Sequence, residues 1–173
     1  MQEETRAAVL LIIGAFVGLF LPDIDQYLRF LLHHRSIVTH SVLVPLLLLT
    51  LRREPLIRQL TAGLSCGIGI HLAVDALSPM VGFGRVYLPF PFFTSLGAFG
   101  SLVWLVGNAG AALFMSLKYS ALRTDVFVKI AGGLAAVYFI LEMISFALSL
   151  FALLVVLVGL YLFVRAGRRS RRA

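Results

Sequence analysis

From Val126 to Val164 the chain runs 39 residues with only two charged side chains, Lys129 and Glu142. A membrane span needs about 20 apolar residues, so this run is too long for one crossing and too apolar for a soluble surface. It is expected to fold as a hairpin turning near Ser145. Four more apolar segments precede it, and together they predict spans at 7–21, 37–51, 57–77, 94–117, 125–143 and 146–164. With 60% hydrophobic residues and a mean hydropathy of +0.98, the chain lies far above the roughly half-apolar norm of soluble domains. The expectation is an all-α, polytopic membrane bundle of about six helices, folded as a single domain over 1–173.

Basic residues orient this bundle. If the loop Arg52-Arg53-Glu54-Pro55 is cytoplasmic, the inner side collects Arg6, Arg52, Arg53, Arg58, Lys118, Arg123, Lys129 and the five arginines of the tail 165–173. That is twelve of fifteen, with only Arg29, Arg35 and Arg85 opposite, so both termini are expected inside. The formal charge of +7 then needs no nucleic-acid partner, and the tail touches anionic lipid. Glu3 and Glu4 before the first span, and Leu21-Pro22-Asp23 after it, do not form a signal-peptide pattern. Cys66, the lone cysteine, says nothing about compartment. Gly14 with Gly18, and Gly63 with Gly67, have the spacing that allows close helix contact, or are ordinary glycines of membrane helices.

Against this apolar background all four histidines fall between Asp23 and Asp75, with acids beside them. Ionisable groups within or at the end of a span are costly to desolvate and point to function. The topology puts Asp23 and Asp25 at the end of the first helix, His40 near the start of the second, and His71 and Asp75 at the end of the third. All reach one outer, extracytoplasmic layer, where imidazoles and carboxylates suit zinc, manganese or iron, as one or two ions.

Each cluster also has a plainer reading. Asp23 and Asp25 are either hydrated acids of an interfacial turn or metal ligands, one of them bridging. His71 and Asp75, four apart, share a helix face as ligands or as a structural pair. His34 and His40 are the preferred ligands of the central cluster and His33 a spectator. Arg35 either grips an anion or pairs with an acid. Thr39 and Ser41 cap the second helix or orient a ligand from behind. The loop 78–93, aromatic and rich in Gly and Pro, is interfacial. Glu142 completes the site or pairs elsewhere, and Asp125 with Lys129 anchors an inner end.

Gly18-Leu19-Phe20-Leu21-Pro22-Asp23-Ile24-Asp25, His34-Arg35-Ser36-Ile37-Val38-Thr39-His40-Ser41, and His71 with Asp75 resemble the family of LexA-binding, inner-membrane-associated, metal-dependent hydrolases. The resemblance covers about residues 7–95; Ser36 stands where that family usually has glycine. The histidine-to-aspartate spacing is also similar to one element of zinc-dependent phospholipase C enzymes. These resemblances imply a metal-dependent hydrolase of the inner membrane. A phosphoester, lipid-linked or not, is the expected substrate, with Asp23 or Asp25 as general base and Arg35 or Arg85 on its oxygens. A small transporter or proton or metal-ion pathway using the same residues is the alternative, and a structural partner with a vestigial site a third.

Overall fold

A computed structural model describes residues 2–51 and 54–145. Its helices are α1 (Gln2–Phe20), α2 (Leu43–Leu51), α3 (Pro55–Ala76), α4 (Gly97–Tyr119) and α5 (Thr124–Ser145). Short 3-10 turns at Pro22–Gln26 and Gly82–Gly84 interrupt the loops. Among the described residues there is no strand, only isolated bridges joining Tyr87 to Ser36 and to Ser95. The chain divides into two compact units, Met1–Ala135 and Ala136–Ala173. Everything that builds the candidate site belongs to the first. The expected span 146–164 and the basic tail lie outside the described residues.

Three helices are long and apolar enough to cross a membrane: α1 with its following turn (Gln2–Gln26), α4 and α5. α1 and α4 are inverted relative to soluble helices. Leu11, Ala15 and Leu19 of α1 and Leu105, Ala109 and Ala112 of α4 are buried, while Ile13, Phe16 and Val17, and Phe99, Val103 and Phe114, are exposed. Large apolar side chains pointing out on this scale suit a lipid surrounding.

α3 is the central helix, buried almost continuously from Gln59 to Leu72. Proline at its first position needs no hydrogen-bond donor there, which favours a start at Pro55. Its polar side chains are absorbed internally. Gln59 donates to the Ala7 carbonyl at 2.9 Å and accepts from the Ala121 N–H at 2.7 Å; the Ser116 hydroxyl donates to the Ala62 carbonyl at 2.6 Å. Both glycine pairs are in use. Gly14 and Gly18 lie against the backbone of Leu60 and Leu64, and Gly63 and Gly67 against that of Leu11 and Ala15, where any Cβ would collide. This close contact clamps the end of α1 beside His71.

The segment 37–51 departs from expectation, because helix begins only at Leu43. Nine residues rise about 13 Å, less than half the apolar core of a bilayer. The reason lies in the preceding backbone, whose polar groups are held by partners elsewhere in the protein. The Ser36 N–H donates to Asp25 Oδ2 at 2.9 Å, the Ile37 N–H to the Tyr87 carbonyl at 2.9 Å and the Val42 N–H to Asn108 Oδ1 at 3.1 Å. The His40 carbonyl accepts from Trp104 Nε1–H at 2.8 Å. Irregular backbone survives at membrane depth when protein satisfies it in this way.

Candidate metal centre

Asp23, His40 and His71 each bring one ligand atom within 4.8 Å of the others, forming a group able to hold a metal ion. Asp75 joins them: its Oδ2 lies 3.2 Å from His40 Nε2 and 3.4 Å from His71 Nε2. The 3-10 turn after α1, the turn before α2 and the last turns of α3 thus meet at one place. His71 and Asp75 sit one helical turn apart on α3, so a single rigid element sets their spacing.

Hydrogen bonding aims both imidazoles. His71 Nδ1–H donates to the Leu19 carbonyl at 2.8 Å. His40 Nδ1–H lies 3.3 Å from Asp25 Oδ2 and 3.1 Å from the Thr39 hydroxyl, which itself donates to Asp25 Oδ2 at 2.8 Å. With its proton on Nδ1, a neutral imidazole keeps its lone pair on Nε2, and a carboxylate or carbonyl behind the ring is the usual support of a metal-binding histidine. Both Nε2 atoms then face the carboxylate oxygen of Asp75. His40 Nε2 and Asp75 Oδ2 are buried and make no hydrogen bond.

Electron pairs facing one another this closely need a positive charge between them, either a proton or a metal. Ligands about 2.0–2.2 Å from a tetrahedral ion stand about 3.3–3.6 Å apart, which brackets the 3.4 Å measured from His71 and nearly meets the 3.2 Å from His40. The spacings of His40, His71 and Asp75 therefore fit a metal ion.

The remaining expected residues take separate places. Asp25, fully buried, is turned from this group toward His40, the Ser36 N–H and Thr39, with its Oδ1 3.6 Å from His34 Nδ1. His34 thus faces Asp25. Arg35 is committed to structure: its guanidinium donates to Asp75 Oδ1 at 2.7 Å and to the Gly84 carbonyl at 2.7 Å, choosing the pairing of the two readings. That grip fixes which Asp75 oxygen faces the histidines and straps the 82–84 turn beside the site. Ser41 lies apart, donating to the Val38 carbonyl at 2.7 Å and accepting from the Leu43 N–H at 3.3 Å, so it starts α2. His33 stacks on Tyr87 with ring centroids 3.9 Å apart. Arg85 donates to the Met80 carbonyl at 3.1 Å.

Two contributors were missed in the sequence, Trp104 and Asn108 of α4, which hold the His40 turn without offering a ligand. The signal was present, as the chain's single tryptophan and single asparagine, both within the predicted span 94–117. Compared with protein-family models, curated proteins and solved structures, the chain matches none.

Proposed function

We propose that the protein is a membrane-embedded, metal-dependent hydrolase of a phosphoester. The observation that carries this reading is the convergence of His40 Nε2, His71 Nε2 and Asp75 Oδ2, each aimed by a partner behind it. The resemblance of the three motifs to membrane-bound metal-dependent hydrolases, which rests on the same residues, points the same way. We place about six spans in the inner membrane with both termini cytoplasmic, which sets the site on the extracytoplasmic side.

His40, His71 and Asp75 would hold the ion, zinc by preference, with Asp23 beside them and one position left for water. When bound, such an ion supplies Lewis acidity and activates water at neutral pH. The chain's own residues do the rest. Asp25 and Thr39 hold the His40 ring, the Leu19 carbonyl holds the His71 ring, and Arg35 holds Asp75. Asp23 is half-buried, with one oxygen accepting from Gln26 Nε2 at 3.0 Å, so it is the carboxylate placed to take a proton from the attacking water. Asp25, enclosed by its four partners, is a positioning residue.

The test is elemental analysis of the purified, detergent-solubilised protein beside His40→Ala. One or two equivalents of zinc, manganese or iron, lost in the variant, support the reading and direct a screen of phosphoester substrates. No metal after reconstitution overturns it in favour of a proton pathway through the same groups.

A further inference from the structure

An open groove of about 520 Å³ runs along the outer face of α1 and ends at Asp23. Phe16, Val17 and Phe20 line its apolar length, one helical turn from end to end, with the Phe16 and Phe20 rings edge to face at 5.1 Å. Ile24 continues the wall and Tyr27, 86% exposed, stands at the rim. Its polar end is formed by Asp23 with Gln26.

We propose that this groove seats the single apolar chain of a lipid whose phosphate head group lies at Asp23. This rests on the metal-centre reading and names the substrate class for it. α1 is long and apolar enough to cross a membrane, so its exposed face is solvated by acyl chains and the groove fills from the bilayer. The same groove reaches a carboxylate that shares the candidate metal group with His40 and His71. A chain entering sideways therefore delivers its head to the site. Asp23 repels an anionic head group unless a cation stands beside it, so lipid capture here depends on bound metal.

The probe is oleoyl lysophosphatidic acid, titrated onto the full chain in detergent and followed by native mass spectrometry, with zinc measured on the same samples. Val17→Trp fills the groove; Tyr27→Ala opens its rim. Val103→Trp is the control, on the exposed face of α4 and equally lipid-facing. The zinc-loaded protein should hold one lipid, bound at least tenfold more weakly in Val17→Trp, more weakly in Tyr27→Ala, unchanged in Val103→Trp and more weakly after chelation. Free phosphate at equal concentration should not displace it. Zinc retained with lipid binding alike in Val17→Trp and Val103→Trp overturns the groove alone. Failure of the wild type to bind zinc overturns the metal centre, and the head-group placement with it.

Discussion

The contact between α1 and α3 and the polar layer at the carboxyl ends of those helices bury comparable polar chemistry and treat it in opposite ways. Along the helices every buried polar side chain has an ordinary partner: Gln59 bridges two backbone groups, and Thr61, Ser65 and Ser116 donate to carbonyls. In the polar layer Asp25 Oδ1 and His34 Nδ1, and separately His40 Nε2 and Asp75 Oδ2, are buried without a hydrogen bond. A buried polar atom left unsatisfied costs roughly 1–3 kcal/mol, and for the second pair a bound cation would remove that local expense. The first region is held by shape and the second by charge. That distinction separates scaffold from site.

The comparison breaks most severely at the scaffold. Gly67→Leu drives a side chain into the backbone of Ala15 and Leu19, so overpacking of about 3 kcal/mol or more is expected. Size-exclusion chromatography should show loss of the monodisperse, folded protein; an unchanged melting temperature would refute the close contact. Substitution in the polar layer should instead spare the fold. His40→Ala and Asp75→Ala are expected to abolish metal retention while circular dichroism stays helical, and full metal content in either would sink the ligand assignment.

Smaller effects sharpen the boundary within the layer. Asp25→Asn and Arg35→Lys remove supports and keep ligands, so metal affinity should fall about 10–100-fold, read by competition with a chelating dye. Acid should also release metal, because protons compete for the imidazole nitrogens that would hold it. Metal content measured across pH with wild type and His40→Ala tests this, and retention unchanged down to about pH 4 in the wild type would remove His40 from the site. His33→Ala should change metal affinity least, by less than about threefold, or 0.7 kcal/mol.

Much of this was legible in the residues. The four-residue spacing of His71 and Asp75 forced one face, and the glycine pairs anticipated the backbone contact. The division of labour between Asp23 and Asp25 was not legible. Spacing of two was expected to direct both toward metal, but a 3-10 turn has three residues per revolution and turns them about 240° apart. Asp25 goes under the Ser36–His40 turn and Asp23 to the rim of the groove. The late start of α2 was equally hidden, since Ile37 and Val38 are as apolar as the helix that follows. Only the partners of their backbone, on the 85–88 segment and on α4, explain why that stretch turns and does not coil.

The hydrogen bond from Trp104 to the His40 carbonyl makes the chain its own optical probe. This is the single tryptophan among 173 residues, so intrinsic emission comes from one indole resting on the turn that carries a candidate ligand. Filling or emptying the site changes the field at that indole, and a shift in emission wavelength becomes a label-free reading of occupancy in detergent or in vesicles.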